Sequence, residues 1–388
     1  MTLPIDGSPL AADGQWEVRF DETRLIFGSG QLDRLGEFVR AVDSRKTLIV
    51  TDAGLRGAGH VDRACRALEA EGVEAVVFDR VDPNPSSHHV EDGRQVAADA
   101  GVDSIVGLGG GSALDCAKGI NFVLTNGGRM EDYWGSGKAK LPMLPSIGVP
   151  TTAGTGSDAQ SYALIAHGET QAKMACGDRK AKFRAVILDE TLTRSVPHDV
   201  AGIAGIDAAS HAVESYVCTR ANPISKLLAR EGWKLIDAHF EATLQTDDAT
   251  ARSGMLLGSF LAGAAIEHSM LGAAHACANP LTAHYHVTHG IAVGLVLPHV
   301  MTFNAEEVGS WYDELRPANS GDDPGEALRR RVIELRAAAG LPARLSDVNV
   351  PRNMLDTLAS EAGEQWTAQF NPRKVTPREL LEFYEAAY

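Results

Sequence analysis

Cysteine is scarce in this sequence, and the cysteines present do not form closely spaced pairs. The five positions are Cys65, Cys116, Cys176, Cys218 and Cys277. An odd number without any CxxC pair argues against a disulfide framework and against a zinc knuckle, since both need paired cysteines. A reducing compartment fits this usage, so we expect a cytoplasmic protein.

Positive charge is also in short supply. Lys and Arg number 36 against 51 Asp and Glu, which gives a formal net charge of −15. Nucleic acids and anionic membranes bind basic surfaces, so neither is expected as a partner. An amide-lined or locally basic pocket can still hold an anionic ligand inside such a protein.

The chain shows neither a signal-peptide pattern nor a hydrophobic run long enough to cross a bilayer. Its first seven residues contain no basic segment followed by an apolar one. The longest apolar stretch, residues 254–266, ends at Glu267 and predicts a buried core helix. With 388 residues, 44% hydrophobic and 22% charged, the sequence is typical of a globular protein with two domains.

Short β-branched runs alternate with amphipathic segments in the first half of the chain. The predicted buried strands are residues 46–52, 74–79 and 104–107. Residues around 61–71 and 90–100 have apolar side chains at helical spacing. This alternation predicts a parallel sheet covered by helices on both faces. Residues 16–20 and 25–27 could add an antiparallel pair at one edge.

The sequence pattern changes after about Pro197, where strand-like runs become rare. Ala, Leu and Gly dominate long periodic segments such as residues 224–244 and 251–265, which is typical of buried helices. We therefore predict an α/β domain over residues 1–196 and an all-helical domain over residues 197–388. A polar, Pro- and Gly-rich stretch at residues 316–325 is predicted to be a loop.

A glycine-rich segment, GLGGGSALDCAK at residues 107–118, follows a predicted strand and opens a predicted helix. Glycines let the backbone approach a pyrophosphate, and a helix N-terminus offers unpaired N–H groups and a positive dipole end. Any tight strand–helix turn also favours glycine, so this segment alone does not establish a nucleotide site.

Other polar residues in the first half strengthen the nucleotide-site hypothesis. Asp52 closes a predicted strand, where a carboxylate can bind an adenosine ribose, although an ordinary helix N-cap explains it equally well. The run PTTAGTGS at residues 150–157 has four hydroxyls and two glycines, which favours a ligand-binding segment. An ordinary polar turn is the alternative explanation. Asn84, in the rigid turn VDPNP, could touch a ligand but taken alone is more simply structural.

Histidines concentrate in the second half, and six of the thirteen fall within residues 268–299. Asp207 and His211 are four residues apart on a predicted helix, so both side chains lie on one face. His275 and His289 supply two further imidazoles. One carboxylate and three imidazoles suit Fe²⁺ or Zn²⁺. For the first pair alone, an i,i+4 hydrogen bond is an equal explanation.

Four motifs together resemble the iron-containing alcohol dehydrogenase family. They are GGGSALDCAK, PTTAGTGSD, GIDAASHAVESYV and the pair AAH…THGIAVGLVLPHV, in this order between about residues 20 and 305. The resemblance implies an α/β dinucleotide-binding domain followed by an all-helical metal-binding domain, an architecture like that of dehydroquinate synthase. It also implies a metal-dependent enzyme that oxidises small alcohols or diols, or reduces aldehydes or ketones, as a homo-oligomer.

The resemblance also assigns roles to particular residues. The implied metal ligands are Asp207, His211, His275 and His289. The implied cofactor-binding residues are Asp52, Asn84, Gly109, Gly110, Gly111, Ser112, Asp115, Thr151, Thr152, Thr155, Ser157 and Lys173. A carboxylate at Asp52 would repel a 2′-phosphate, so NAD is expected rather than NADP. Iron is the expected cation, with Zn²⁺ or another divalent ion also compatible.

The sequence departs from the family pattern close to the metal ligands. Many members have a second histidine four residues after the third ligand, proposed to relay a proton, and Asn279 stands there in this chain. Asparagine cannot carry a proton at neutral pH, so His286 is the candidate replacement. Thr288 precedes His289, where proline is common in the family.

Three other functions compete with this prediction. A lyase similar to dehydroquinate synthase usually has glutamate as its first metal ligand and lacks the PTTAGTGS run. A maleylacetate-reductase-like enzyme typically has lost the metal site. A catalytically idle binding protein would show degraded ligands or a broken glycine loop. The intact motifs favour a dehydrogenase in which the cation lowers the pKa of the alcohol oxygen and the nicotinamide takes the hydride.

Overall fold

The computed structural model describes residues 14–316 and 323–388, which form two compact units. One unit contains the described residues up to Thr152 together with Ser157–Val196, and the other contains Ala153–Gly156 with the described part of Pro197–Tyr388. The first seven residues, for which no signal peptide is predicted, lie outside the described residues, as does most of the loop predicted at 316–325.

Among its described residues, the first unit contains ten strands and five α-helices, besides short 3-10 turns. The strands are β1 (Trp16–Phe20), β2 (Thr23–Phe27), β3 (Lys46–Val50), β4 (Glu74–Phe78), β5 (Ser104–Gly109), β6 (Gly135–Ser136), β7 (Ser146–Pro150), β8 (Tyr162–Ala166), β9 (Lys173–Gly177) and β10 (Ala185–Leu188). The helices are α1 (Leu35–Arg40), α2 (Ala53–Gly57), α3 (His60–Ala70), α4 (Ser87–Ala100) and α5 (Gly111–Asn126).

Seven of these strands form one sheet in the order β1-β2-β10-β7-β5-β3-β4. Its pairings are parallel except for the edge hairpin of β1 with β2. The remaining three form a small sheet in the order β6-β9-β8. The predicted parallel sheet with an antiparallel edge pair is therefore confirmed. The small sheet was not predicted, because β6 has only two residues and neither is apolar.

Both faces of the large sheet are covered, because successive side chains of a strand point to opposite sides. Leu48 and Val50 of β3 belong to an apolar cluster with residues of α4 and α5. Ile49, between them, belongs to a second cluster with residues of α1 and α3. All six residues of β5 are buried, as expected for a central parallel strand.

The regular structure described in the second unit is helical, with no strand among its described residues. Its α-helices are α6 (His198–Val217), α7 (Pro223–Gln245), α8 (Ala249–Glu267), α9 (Ala273–Tyr285), α10 (His289–Val308), α11 (Pro324–Ala338), α12 (Leu355–Glu364) and α13 (Pro377–Ala386). Among the described residues, α8 alone is long and apolar enough to cross a membrane by length and composition. Since 89% of its apolar window is buried inside the protein, it fits the predicted core helix.

The segment Ala153–Gly156 belongs to the helical unit although it follows β7 in sequence. A methyl group added to Gly154 would lie 2.4 Å from the carbonyl oxygen of Ala204 on α6. One added to Gly263 on α8 would lie 2.5 Å from the backbone of Gly156. The segment therefore packs backbone to backbone against the helices, which requires glycine at these contacts.

Candidate functional site

A cluster of one carboxylate and three imidazoles lies in the helical unit. Asp207 and His211 are on α6, His275 is on the first turn of α9, and His289 is the first residue of α10. The Nε2 atoms of His211, His275 and His289 lie 3.4, 3.8 and 3.9 Å from Asp207 Oδ1. For Asp207, His275 and His289, the potential ligand atoms all lie within 4.8 Å of one another.

These separations fit a shared cation better than direct hydrogen bonds. N–H···O hydrogen bonds span about 2.7–3.2 Å, and even the Asp207–His211 distance is longer. Ligands held at about 2.1 Å by a tetrahedral ion lie about 3.4 Å apart. Asp207 Oδ1 and His275 Nε2 are buried and have no hydrogen-bond partner among the described residues. Such orphaned polar atoms are costly unless a ligand satisfies them.

The ionisation states of Asp207 and His211 suit cation binding, whereas His275 must lose a proton first. Burial lowers the pKa of His211 to about 4, which keeps this imidazole neutral. Burial alone would raise the pKa of Asp207, but the imidazoles, His211 first, hold it well below its ordinary value, so it is a carboxylate. Burial opposes a charge on His275 too, but Asp207 and Glu214 together raise its pKa to about 9. Cation binding at His275 therefore displaces a proton.

Glu214 is a member of this site that sequence reasoning missed. It is 3% exposed, and its Oε2 lies 2.5 Å from His275 Nδ1. It follows Asp207 by seven residues on α6, which places both on one helical face. That spacing is the only signal in the sequence, and it does not show that a buried carboxylate meets the start of another helix.

A second site surrounds the turn between β5 and α5. Gly109 ends the strand with φ 151°, a conformation that favours glycine, and a methyl group there would lie 2.7 Å from Ala113 Cβ. Gly110 is the N-cap of α5, and a methyl group on it would lie 3.3 Å from Thr152 Oγ1. The turn places the first backbone N–H groups of α5 at a helix N-terminus, which can hold a phosphate.

Several residues predicted from the sequence meet at this turn. The Asn84 N–H donates to Ser112 Oγ at 3.3 Å, and the Thr151 N–H donates to the Gly109 carbonyl at 3.0 Å. Asp52 is the N-cap of α2, the role given above as the alternative to ribose binding, because its Oδ1 accepts from the Leu55 N–H at 3.0 Å. Its Oδ2 lies 3.6 Å from the position of a Cβ on Gly109, so the carboxylate also borders the glycine turn.

Asp115 and Ser157, two other predicted cofactor residues, are buried. Asp115 is buried, which raises the pKa of its carboxyl, and it interacts with Lys118, Lys173 and Ser157. The Lys118 Nζ donates to the carbonyls of Ser157, Gln160 and Tyr162 at 2.6–2.8 Å, which fixes the segment after the PTTAGTGS run. Thr155 lies in the segment that belongs to the helical unit.

Two residues concern the proton relay: Asn279 stands where many family members have histidine, and His286 is its predicted replacement. Asn279, on α9, donates from Nδ2 to Gln365 Oε1 at 2.9 Å. His286 is the exposed C-cap of α9 with φ 54°, and no described contact joins its ring to the cluster. Its relay role stays a prediction.

Comparisons with known proteins agree with this arrangement. The sequence profile of "Iron-containing alcohol dehydrogenase" matches residues 22–190, and that of "Fe-containing alcohol dehydrogenase family, C-terminal" matches residues 202–388. The NAD-dependent methanol dehydrogenase of Bacillus methanolicus is 30% identical, over 93% of this chain and 97% of its own. The 1,3-propanediol dehydrogenase of Citrobacter freundii is 32% identical, over 94% and 96%. The solved alcohol dehydrogenase from Oenococcus oeni superposes with a TM-score of 0.90 at 30% identity, covering 94% of this chain and 98% of that one.

Proposed function

Because the chain belongs to the iron-containing alcohol dehydrogenase family, we propose that it transfers a hydride between NAD and a small alcohol or diol, or the corresponding aldehyde. It is an alcohol dehydrogenase or aldehyde reductase of that family, and the predicted family and fold are confirmed. The predicted cofactors, iron and NAD, are those of the family. We propose in addition that NAD is preferred over NADP and that the residues named below bind the cation and the dinucleotide.

The observation that carries the proposal is the convergence of three Nε2 atoms on Asp207 Oδ1. Asp207, His211, His275 and His289 would hold the cation, since a carboxylate with neutral imidazoles suits Fe²⁺ and also Zn²⁺. When bound, the cation lowers the pKa of an alcohol oxygen and so eases departure of the hydride. The buried helices around these four side chains exclude bulk water from three of them.

The glycine turn would hold the dinucleotide. Gly110, Gly111 and Ser112, at the start of α5, would offer their N–H groups to a pyrophosphate. Asp52 borders the turn with a carboxylate, which accepts hydrogen bonds from a ribose and repels a 2′-phosphate. We therefore propose NAD as the preferred cofactor. When bound, its nicotinamide accepts the hydride.

The proton of the alcohol leaves without help from the position that carries histidine in many relatives. Asn279 can donate and accept hydrogen bonds but carries no proton at neutral pH. His286 has no described contact with the cluster. We propose that water takes the proton directly.

The experiment that tests this function follows NADH formation with short primary alcohols and diols. Chelator-treated protein should show no turnover, and added Fe²⁺ should restore it. Full turnover of protein shown to be metal-free would overturn the proposal. If added Fe²⁺ restores turnover with a diol but not with a mono-alcohol, diols are the substrate class.

A further inference from the structure

The N-terminus of α9 is buried and has no N-cap side chain of its own. Gly272 occupies the N-cap position, so it cannot accept hydrogen bonds from the first N–H groups of the helix. Glu214 on α6 accepts them instead. The Ala274 N–H donates to Glu214 Oε1 at 2.8 Å, and the Gly272 N–H donates to Oε2 at 3.2 Å. A carboxylate at this position also complements the positive end of the helix dipole.

The same carboxylate contacts a candidate metal ligand on that first turn. Glu214 Oε2 lies 2.5 Å from His275 Nδ1, and both residues are less than 5% exposed. Because Oε2 accepts from a backbone N–H as well, the proton of this contact belongs to the imidazole. When cation binding displaces the other ring proton, His275 keeps its proton on Nδ1 and presents a lone pair on Nε2, the atom that faces Asp207.

A second polar contact ties the same helix start to α10. The Ala273 N–H donates to Asn371 Oδ1 at 3.2 Å, and Asn371 exchanges hydrogen bonds of 2.7 and 3.1 Å with Asn304 of α10. A methyl group on Gly272 would lie 2.9 Å from both Asn371 Oδ1 and Glu214 Oε1. The start of α9 is thus enclosed by acceptors from two sides, and only glycine fits between them.

We propose that Glu214 is a positioning residue that fixes both the tautomer and the location of His275 for cation binding. This inference rests on the metal site of the proposed function. Glu214 shares α6 with Asp207 and His211, so one helix carries two ligands and orients the third. Partners of this kind on the outer nitrogen of a ligating histidine typically change metal affinity by 10–100-fold.

The variant Glu214→Gln keeps the shape but replaces one acceptor oxygen with an N–H donor. In one orientation the amide N–H meets the Ala274 N–H, and in the other it donates to Nδ1 and moves the imidazole proton to Nε2. We expect Zn²⁺ and Co²⁺ affinities, measured by competition with a chromophoric chelator, to fall about 10–100-fold. The visible absorption of bound Co²⁺ should change, whereas NAD affinity should not.

The matched control is Glu231→Gln, another buried glutamate of the helical unit. Its partners are Arg230 and Lys234, and no ligand of the cluster is among them. Cation affinity of this variant should equal that of the wild type. Equal affinities for Glu214→Gln and the wild type, with an unchanged Co²⁺ spectrum, would overturn the proposal.

A measurement on the wild-type protein keeps the proposal testable if Glu214→Gln does not fold. ¹⁵N NMR of histidine-labelled, Zn²⁺-loaded protein should show His275 protonated at Nδ1 and metal-bound at Nε2. Metal bound at Nδ1, or a rapidly exchanging Nδ1 proton, would contradict it. If the wild type binds no cation at these histidines, the metal site fails instead, so the two failures are distinguishable.

Discussion

The carboxylates of this protein show how surroundings assign different roles to one type of side chain. Asp207 lies among imidazoles, Asp52 caps α2 beside the glycine turn, and Asp158 is buried in the α/β unit. A sequence pattern identifies such residues by spacing, but their ionisation depends on contacts that only the fold supplies.

Replacing Asp52 tests the cofactor preference. Asp52→Ser keeps an N-cap oxygen for the Leu55 N–H and removes the charge that repels a 2′-phosphate. We expect the ratio of kcat/KM for NADP to that for NAD to rise at least about tenfold, which is about 1.4 kcal/mol. The exposed Asp62→Ser on α3 is the control and should leave the ratio unchanged. An unchanged ratio in Asp52→Ser would show that other residues select the cofactor.

Asp158 predicts a pH-dependent stability. Burial raises its pKa to about 6 in the folded protein, above the unfolded value, so its contribution is present at low pH and lost as pH rises through about 6. Asp158→Asn should therefore raise the free energy of unfolding by about 1–3 kcal/mol at pH 7.5 and leave it unchanged near pH 4.

Urea unfolding at both pH values provides this measurement. Asp103→Asn is a control of opposite sign, since hydrogen bonds from Ser44 and the Arg45 and Lys46 N–H groups outweigh burial and lower the pKa of Asp103. That variant should lose stability at pH 7.5. A destabilised Asp158→Asn at pH 7.5 would show that its carboxylate is favoured by the fold.

At the scale of secondary structure, elements with strong periodicity were predicted and weak ones were missed. Strands β3, β4 and β5 follow from β-branched runs, and α7 and α8 follow from long apolar periodicity. The docking of Ala153–Gly156 on the helices has no such signal, because glycine backbones rather than side chains make the contact. The cap of α9 was missed for a similar reason, since Glu214 is distant in sequence.

The β5–α5 turn predicts a selective loss of dinucleotide binding. Gly109→Ala places a methyl group 2.7 Å from Ala113 Cβ at φ 151°, so the turn must shift at a cost of about 1–3 kcal/mol. NAD affinity, measured by calorimetry, should fall at least about tenfold while Zn²⁺ affinity is retained. Gly127→Ala, at the C-cap of the same helix, is the control, because it also places alanine at a positive φ, 75°, but at the other end of α5. NAD binding by Gly109→Ala equal to that of the control would contradict the assignment.

At the scale of the whole molecule, the two candidate sites belong to different compact units. The cation site is built from α6, α9 and α10, and the glycine turn from β5 and α5. A ligand that binds only the folded state stabilises it by about 2.7 kcal/mol at one hundred times its Kd. Each cofactor should therefore slow hydrogen exchange mainly in the unit that binds it.

Hydrogen–deuterium exchange tests this division of sites. Zn²⁺ alone should slow exchange in α6, the start of α9 and the start of α10, and NAD alone should slow exchange around residues 107–118. Protection of α5 by Zn²⁺ alone, without protection of α6, would show that the cation binds elsewhere.

The central claim is that Asp207 and three histidines hold the cation needed for alcohol oxidation. The most direct test compares metal-free wild type, Asp207→Asn and the control Asp199→Asn, an exposed residue on the first turn of α6, after anaerobic addition of Fe²⁺. Wild type and Asp199→Asn should each bind one Fe²⁺ per chain and regain NADH formation, whereas Asp207→Asn should do neither and still bind NAD. Recovery of full turnover by Asp207→Asn would contradict the account.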